Sequence, residues 1–178
     1  LEENAQLNLT ALRTPELCWT GNILDSLAAL DAIPDGTASI LDIGTGGGFP
    51  LLPLAICLPN AKHTGVDSVR KKIDAIKRIA TKMSLTNVNF ICGRAEELGH
   101  DRQLRESQDI VTARAVAPIN TLLEYCSPFV KQGGLVILWK SMHIEEELTE
   151  SLLARAALSC HLETPHVYDL GGTWGRRQ

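Results

Sequence analysis

The chain has 178 residues, of which 44% are hydrophobic and 21% charged, and its formal net charge at pH 7 is −4. This length fits one domain with a sizeable core, and the composition excludes a disordered chain. Apolar runs stay well short of the roughly 20 residues that span a bilayer, and the N-terminus has no basic-then-apolar signal pattern, so we expect a cytoplasmic protein without a membrane segment.

Residues 1–36 are predicted to form a helical segment in front of the main domain. Thr14 can cap a helix whose first residue is Pro15. Apolar residues then recur at roughly helical spacing up to Asp31, and they are Leu17, Ile23, Leu24, Leu27 and Leu30. We expect an amphipathic helix that packs this stripe against a sheet. Pro34-Asp35-Gly36 is predicted to turn the chain into the first strand.

Strands and helices are predicted to alternate through residues 37–178. The strands lie near residues 38–43, 62–67, 88–92, 109–113 and 134–139, with a sixth near 163–169. The helices lie near residues 50–57, 70–84, 118–130 and 144–157, with a further one near 97–106. This order is typical of βαβ units, so the predicted fold class is α/β, with a mostly parallel central sheet and helices on both faces.

A glycine-rich turn follows the first strand, where residues 42–50 read DIGTGGGFP. Glycines let the backbone turn tightly and let a ligand approach the main chain closely. In the dinucleotide-binding fingerprint a third glycine falls three residues after the second, and Phe49 stands there instead, which disfavours a nicotinamide oxidoreductase. A tighter G-x-G-x-G spacing follows the acid Asp42, formed by Gly44, Gly46 and Gly48. That spacing resembles the first motif of S-adenosylmethionine-dependent methyltransferases.

The predicted strand ends carry the other candidate site residues. Ligands of open parallel sheets bind beyond the carboxyl ends of the strands. Asp67 ends the second strand, and a carboxylate there can accept hydrogen bonds from both ribose hydroxyls of an adenosine. Polar residues and glycines also follow the next three strands, in the segments Gly93-Arg94-Ala95-Glu96, Thr112-Ala113-Arg114-Ala115 and Lys140-Ser141. We therefore predict a cofactor site along this edge.

Taken as a set, several segments resemble one family, the bacterial small-subunit ribosomal RNA guanine-N7 methyltransferases, also called the glucose-inhibited division protein B family. Besides the glycine loop they are Asn8-Leu9-Thr10-Ala11, Ile23-Leu24-Asp25-Ser26-Leu27, Asp67-Ser68, Arg94-Ala95-Glu96, Thr112-Ala113-Arg114-Ala115 and Leu138-Trp139-Lys140. They follow the family's order across most of the chain. The resemblance implies a Rossmann-like class I methyltransferase fold, S-adenosylmethionine as cofactor, and 16S ribosomal RNA or the small ribosomal subunit as partner.

The resemblance also implies roles for individual residues. The glycine loop lines the cofactor through Gly44, Gly46, Gly48 and Phe49. Ala95 and Glu96 hold the adenine end, although Glu96 also fits a first-turn acid favoured by a helix dipole. Arg114 lies at the methionine end or at the substrate, and Asp67 takes the ribose position of methyltransferases in general.

The chemistry implied by this family needs no general base, because guanine N7 carries no proton in the neutral base. Catalysis then comes from placing N7 near the methyl group and excluding water, which can contribute about 7 to 11 kcal/mol. We predict that Arg114 and Lys140 position the guanine near O6 or a phosphate, since a donor on N7 itself would block attack. The alternatives are a salt bridge from Arg114 to a strand-end acid and a solvated strand end at Lys140. Asp25 and Ser26 also fit residues that cap or turn a helix.

Departures from the family pattern leave other functions open. Gly21-Asn22 stands where the family usually has Arg-His, and Ser141 stands where it commonly has Gly. The family also has more chain at both ends, so we expect residues 1–178 to be a single methyltransferase domain that is truncated. The acidic net charge and the missing Arg-His favour one alternative, a methyltransferase acting on a small molecule. Gly21-Asn22 also favours a second, a non-catalytic cofactor-binding relative.

The predicted helix at 70–84 carries a run of cations beside its apolar stripe. They are Arg70, Lys71, Lys72, Lys77, Arg78 and Lys82. A run of this kind is usually a solvated face, and as an RNA footprint it would make binding strongly salt-dependent. Aromatic residues make up only 4% of the chain, so base stacking on single strands is unsupported.

The five cysteines, at positions 18, 57, 92, 126 and 160, are dispersed without a C-x-x-C pair. An odd and dispersed set argues against a disulfide framework and against a zinc site, so no metal is expected. We interpret most of them as small core residues. A monomer is the expected oligomeric state.

Overall fold

The computed structural model describes residues 1–114 and 117–178. Its centre is a sheet of five parallel strands in the order β3-β2-β1-β4-β5. The strands are β1 (Ser39–Ile43), β2 (Lys62–Asp67), β3 (Val88–Cys92), β4 (Gln108–Arg114) and β5 (Val130–Trp139). The strand order reverses between β1 and β4, where ligands bind in open α/β sheets. Ala115, at the end of the predicted segment 112–115, lies outside the described residues.

Helices connect the strands. They are α1 (Glu2–Leu7), α2 (Pro15–Cys18), α3 (Asp25–Leu27), α4 (Leu51–Cys57), α5 (Arg70–Lys82), α6 (Ala95–Leu98), α7 (Ile119–Cys126), α8 (Glu145–Glu150) and α9 (Leu152–Ala157). The predictions near 50–57, 70–84 and 118–130 are confirmed by α4, α5 and α7. Within residues 1–114 and 117–178, no helix combines the length and the apolar character that crossing a bilayer requires.

Both faces of the sheet are covered, as predicted. On one face the fully buried Leu41 of β1 packs in a cluster with Leu122 of α7 and with Phe129. On the other face Leu51 of α4 approaches Gly65 of β2 so closely that a Cβ on this glycine would lie 2.7 Å from the leucine Cδ2. The central strand β1 is therefore buried from both sides, and its burial stabilises the fold.

The helix predicted near 144–157 is divided into α8 and α9. The division falls at Ser151, which is fully buried and whose hydroxyl donates a hydrogen bond to the carbonyl oxygen of Leu148 at 2.8 Å. A serine side chain that bonds the preceding turn competes with continued helical pairing. One predicted element is thus two short helices.

The prediction of a helix near residues 97–106 is wrong. Only α6 forms, and it ends before Gly99, where a Cβ would lie 3.0 Å from a ring carbon of Pro128. Asp101 then accepts a hydrogen bond on Oδ1 from the backbone N–H of Gln103 at 2.7 Å. This side chain offers the backbone a turn in place of a helix.

The sixth strand predicted near 163–169 is wrong in extent and in partner. Only β6 (Tyr168–Asp169) is extended, and it pairs antiparallel with β7 (Arg176–Arg177) in a separate two-stranded sheet. Residues 161–167 are exposed, and Pro165 among them has no N–H for a strand ladder. The two short strands form a hairpin, residues 168–177, called here the C-terminal hairpin.

The N-terminal helix begins as predicted. The hydroxyl of Thr14 accepts a hydrogen bond from the backbone N–H of Leu17 at 3.3 Å, and Pro15 takes the first helical position. The helix continues from α2 through a π-helical stretch, Trp19–Leu24, then α3 and a 3₁₀ segment, Ala28–Ala32.

The prediction that an apolar stripe of this helix packs inward is wrong. Leu17 and Leu24 are 41% and 38% exposed, respectively. The buried residues are instead Gly21, Asn22, Asp25, Ser26 and Ala29. A π-helical turn contains more residues than an α-helical one, so it rotates the residues that follow it about the helix axis. A mostly polar side of the helix consequently packs inward.

The cysteines are less buried than predicted. Cys126 is buried, Cys57 is exposed, and the other three are half-buried. All five are free thiols within the part of the chain that the structure describes. The interpretation as core residues therefore holds for Cys126 alone.

Replacing Leu41, fully buried in β1, with alanine should lower the free energy of unfolding by about 2–5 kcal/mol, because it leaves a cavity at the sheet centre. The matched control is Leu153→Ala, at a side chain that is 84% exposed, where the change should stay below about 0.5 kcal/mol. Urea unfolding followed by circular dichroism measures both. Equal losses in the two variants would contradict a core centred on β1.

Candidate functional site

The glycine loop joins β1 to α4 at the carboxyl edge of the sheet. Gly44 and Gly48 have φ values of 69° and 87°, in the left-handed region that residues with a side chain rarely adopt. The backbone N–H of Thr45 donates to the carbonyl oxygen of Val66 at 2.9 Å, which ties the loop to the end of β2. Phe49 lies half-buried at the end of the loop. The predicted turn therefore forms, and it lies at the carboxyl edge of the sheet.

Asp67, the last residue of β2, lies against this loop. It is 7% exposed, its Oδ2 accepts a hydrogen bond from the N–H of Gly46 at 3.0 Å, and its Oδ1 accepts one from the N–H of Val69 at 2.8 Å. Each carboxylate oxygen has a second lone pair for a further donor. The structure thus brings Gly46 and Asp67 together and leaves the carboxylate able to bind a ligand hydroxyl.

The residues at the end of β3 lie next to Asp67 along the same edge of the sheet. The N–H of Gly93 donates to the carbonyl oxygen of Asp67 at 3.1 Å. Ala95, at the start of α6, is buried, whereas Glu96 is exposed. A hydrogen bond to Glu96 raises the pKa of Tyr125. Neighbouring strands lie about 4.8 Å apart, so the ends of β3, β2 and β1 span about 10 Å.

Asp42 lies buried beneath the glycine loop, with 1% exposure. Its Oδ1 accepts a hydrogen bond from the Thr112 hydroxyl at 2.8 Å, whereas its Oδ2 and the Thr45 hydroxyl have no partner among the described residues. Burial raises the pKa of Asp42 to about 7, although both threonine hydroxyls and the charge of Arg114 favour the carboxylate. The Thr45 hydroxyl lies near this carboxyl without meeting hydrogen-bond geometry. Both orphaned oxygens fit a ligand that brings donor groups.

Arg114, the last residue of β4, is held by the N-terminal helix. Its Nη2 donates to the carbonyl oxygen of Gly21 at 2.6 Å and to Asn22 Oδ1 at 3.1 Å. Its Nη1 donates to the Asn22 carbonyl oxygen and to Ser26 Oγ, both at 3.3 Å, and its Nε lies 3.2 Å from Asp25 Oδ2. The salt bridge considered for Arg114 therefore exists, but the acid stands on a helix and not at a strand end.

Asp25 connects this pair to the C-terminal hairpin. Its Oδ1 accepts a hydrogen bond from the Tyr168 hydroxyl at 2.7 Å and lies 3.8 Å from Arg177 Nε. Its carbonyl oxygen accepts a hydrogen bond from Trp139 Nε1 at 2.7 Å. Burial and the bond to Asp25 raise the pKa of Tyr168. The helix, the sheet and the hairpin thus meet at one carboxylate.

Lys140 follows β5 and is paired rather than solvated. Its side chain is 13% exposed, and its Nζ donates to Glu147 Oε2 at 2.6 Å and to the carbonyl oxygen of Ala117 at 2.9 Å. Glu147 Oε2 also accepts a hydrogen bond from the N–H of Ile119 at 3.0 Å. The contact with Lys140 lowers the pKa of Glu147, which is therefore ionised at neutral pH.

A cavity of about 450 Å³ lies at the ends of β4 and β5, between the N-terminal segment and the C-terminal hairpin. Its lining includes Thr10, Asn22, Arg114, Lys140, Glu147 and Trp174. The segment that carries Thr10 also crosses the glycine loop, since a Cβ on Gly47 would lie 3.1 Å from the carbonyl oxygen of Leu9. Loop and cavity are therefore neighbouring parts of one site.

The cationic helix α5 is partly neutralised. Arg78 forms a salt bridge with Glu3 of α1 at 2.6 Å, and Lys82 lies 3.2 Å from Glu2. The other cations of the predicted footprint have no salt bridge within the described ranges, and they are Arg70, Lys71, Lys72 and Lys77. The remaining charge lies mainly on the N-terminal part of the helix, beside the end of β2.

Sequence reasoning missed part of this site. Thr10 and Asp25 lay inside the motif segments, but no role followed for Thr10, and for Asp25 a cap or a turn remained an alternative. Glu147 and Trp174 carried no local signal, because neither belongs to a motif and both reach the site through tertiary contacts. Gly21-Asn22 departs from the family pattern, yet both residues contact Arg114.

Solved structures share this architecture. An S-adenosylmethionine-dependent methyltransferase from Aquifex aeolicus has a TM-score of 0.65 and 18% identity, with 96% of this chain and 94% of that chain covered. Coclaurine N-methyltransferase, bound to N-methylheliamine and S-adenosylhomocysteine, has a TM-score of 0.56 and 22% identity, with 73% and 38% covered. The chain has the Rossmann-like class I methyltransferase fold.

Sequence comparison then identifies the family. A family model described as GidB, rRNA small subunit methyltransferase G, matches residues 1–170. A relative with that name from Alkaliphilus metalliredigens is 42% identical over 85% of this chain, and one from Lactobacillus helveticus is 39% identical over 99%. The chain belongs to the GidB family of ribosomal RNA small subunit methyltransferases G. It spans 64% and 75%, respectively, of the length of these two relatives.

The buried carboxyl of Asp42 predicts the direction in which the stability of the protein changes with pH. Its folded-state pKa, about 7, lies above the ordinary value of 3.8, so the folded state binds more protons between these pH values. Stability therefore falls as the pH rises from about 4 to about 7. Asp42→Asn should leave stability unchanged at pH 4 and raise it at pH 8 by at most about 4 kcal/mol, as measured by denaturant unfolding.

Asp109→Asn is the control, because the pKa of Asp109 is shifted in the opposite direction from that of Asp42. A hydrogen bond from Lys131 lowers the pKa of Asp109 to about 2, so its carboxylate stabilises the fold above about pH 4, and this contribution is lost as the pH falls toward 2. The control variant should be less stable than the wild type at pH 8. A loss of stability at pH 8 in both variants would contradict the assignment for Asp42.

Proposed function

We propose that this chain carries the catalytic core of an enzyme that transfers a methyl group from S-adenosylmethionine to guanine N7 of 16S ribosomal RNA. The observation that supports this most is the row of groups at the carboxyl edge of the sheet. The glycine loop, Asp67 and Ala95-Glu96 follow one another along three neighbouring strands, beside a polar cavity. We place the activity in the cytoplasm, with the small ribosomal subunit or its RNA as partner.

The residues present fit the cofactor. We propose that Ala95 and Glu96 hold the adenine end and that Asp67 accepts hydrogen bonds from the ribose hydroxyls. Gly44, Gly46, Gly48 and Phe49 would line the middle of the cofactor. The orphaned oxygens of Asp42 and Thr45 fit the ammonium group of its methionine end, because a cation would satisfy both. When bound, the cofactor supplies an electrophilic methyl group.

The chain's own residues have the task of positioning the acceptor. N7 attacks through its lone pair, so no side chain has to remove a proton. We propose that Arg114 and Lys140 act by position: Arg114 fixes Asn22 and Asp25 as walls of the cavity, and Lys140 fixes Glu147. The positive charges of both side chains also favour the binding of a phosphate or of guanine O6 near the cavity. This arrangement would set the approach of N7 to the methyl group.

The unpaired cations of α5 support an RNA partner. Arg70 and Lys71 stand at the start of the helix, close to the strand end that carries Asp67, and both are exposed. Phosphates bound there would release counterions, so RNA affinity should fall steeply with salt. The pairing of Arg78 and Lys82 with α1 restricts this surface to the part of α5 nearest the site.

The activity is tested by incubating the chain with radiolabelled S-adenosylmethionine and, separately, small ribosomal subunits, free rRNA and a pool of small molecules. We expect label at guanine N7 after nuclease digestion of the RNA. Label only in small molecules would favour a small-molecule methyltransferase. Cofactor binding without transfer to any acceptor would favour a non-catalytic relative.

Asp67→Asn tests the cofactor site separately. An amide keeps one acceptor oxygen and loses the negative charge, so affinity for S-adenosylhomocysteine should fall about tenfold, which is about 1.4 kcal/mol. Isothermal titration calorimetry measures the change. Asp35→Asn, at an exposed turn before β1, is the matched control and should leave the affinity unaltered. Unchanged affinity in Asp67→Asn would remove this residue from the site.

A further inference from the structure

Trp174 lies at the mouth of the cavity on the C-terminal hairpin. A Cβ on Gly21 would lie 2.2 Å from Cη2 and 2.5 Å from Cζ3 of this tryptophan, so the six-membered ring rests on the backbone of a residue without a side chain. Trp174 is half-buried and lines the cavity, which leaves part of the indole open to a ligand. An aromatic ring in such a place can stack on a nucleobase.

The turn of the hairpin that precedes Trp174 is exposed, and the N–H of Trp174 donates to the carbonyl oxygen of Gly171 at 3.1 Å. Gly171 and Gly172 have φ values of 74° and 53°, and a Cβ on either would meet nothing within 4 Å. The other end of the hairpin is fixed, because Tyr168 bonds Asp25 and because Lys140 and Gln178 exchange backbone hydrogen bonds at 2.8 and 3.3 Å. Trp174 is thus held at the cavity by a hairpin whose base is anchored to the rest of the domain.

Glu147 offers the matching polar group in the same cavity. Both of its bonds, from Lys140 Nζ and from the N–H of Ile119, end on Oε2. Its Oε1 has no hydrogen-bond partner within the described part of the chain. The carboxylate is ionised, and its side chain is 33% exposed. It can therefore accept hydrogen bonds from a ligand that presents adjacent N–H donors.

We propose that Trp174 and Glu147 form the subsite for the acceptor guanine, with the base stacked on the indole and its N1–H and N2–H both donating to Oε1 of Glu147, the oxygen without a partner among the described residues. This inference rests on the proposed function and names the residues that select its acceptor. The Watson–Crick edge of guanine lies opposite N7, so holding that edge leaves the N7 lone pair free to attack. Extruded bases are commonly read in this way, by stacking and by the Watson–Crick edge.

The same pair discriminates against the other purine. Adenine has an acceptor at N1 in place of the N1–H donor, and this lone pair would face an ionised carboxylate. Adenine also carries a hydrogen in place of the amino group at C2, so both hydrogen bonds to the carboxylate are lost. This loss and the new repulsion both disfavour adenine. A cavity of about 450 Å³ is large enough for a purine and part of its ribose.

The test measures methyl transfer to small-subunit rRNA by the wild type and three variants. Trp174→Ala should raise KM for RNA about tenfold and leave the dissociation constant of S-adenosylhomocysteine unchanged, and Trp174→Phe should restore most of the loss. Glu147→Gln should lower kcat/KM about tenfold, because a neutral amide accepts less strongly from two donors. Replacing the mapped acceptor guanine with inosine, which lacks N2–H, should cost the wild type several-fold and Glu147→Gln little.

Matched controls use the same residue types outside the cavity. Trp19→Ala changes a tryptophan that is 55% exposed, and Glu146→Gln changes an exposed acid on α8 next to Glu147. Both should retain the kinetics of the wild type. A wild-type KM in Trp174→Ala, or equal sensitivity to inosine in Glu147→Gln and the wild type, would overturn the subsite while leaving the proposed methyltransferase in place.

A second measurement separates failure of the subsite from failure of the proposed function. If the wild type labels no RNA, the proposed function fails, and the subsite is then tested by quenching of tryptophan fluorescence with GMP and AMP in a Trp19→Phe background. A double variant, Trp19→Phe with Trp174→Phe, reports the contribution of Trp139, which lines the same cavity. Quenching by GMP alone, lost in Glu147→Gln, supports a guanine subsite that serves another acceptor. Equal quenching by both nucleotides, or none, overturns it.

Discussion

A guanidinium group that lies mostly out of water needs acceptors for its nitrogens, and Arg114 imposes this requirement at the switch point of the sheet. The acceptors come from residues 21–26, while the countercharge of Asp25 is shared with Tyr168 and Arg177. Three distant parts of the chain consequently converge on one buried cation. The helix turns its polar side inward, the hairpin folds back over the strand ends, and the cavity is the space enclosed between them.

Local patterns were sufficient to predict the sheet and the glycine loop, because short apolar runs and backbone sterics act over a few residues. The five parallel strands and the loop after Asp42 are examples. The orientation of the N-terminal helix was not predictable in that way. From the sequence alone, Asn22 is expected to face solvent. Only the structure shows that it binds Arg114, which lies 92 residues further along the chain. Glu147 and Trp174 depend on tertiary contacts of the same kind.

Asp42 shows a conflict between folding and binding. An apolar side chain of similar size would fill the space beneath the loop without leaving a polar atom unpaired. The carboxyl group of Asp42 instead leaves one buried oxygen without a partner among the described residues. Perturbed acids of this kind concentrate at ligand sites, where the ligand completes their hydrogen bonding. The fold thus tolerates a local cost in the free protein at the position where the cofactor's charge is expected.

The contact between Gly21 and Trp174 gives the departure from the Arg-His pattern a different meaning. Any side chain at position 21 would occupy the volume that the indole ring now fills, so the two positions accept substitutions only jointly. Such a pair is epistatic: a change at one site is harmful or neutral according to the residue at the other. A side chain at position 21 is therefore expected to be tolerated only together with a smaller residue at position 174, about 150 residues further along the chain.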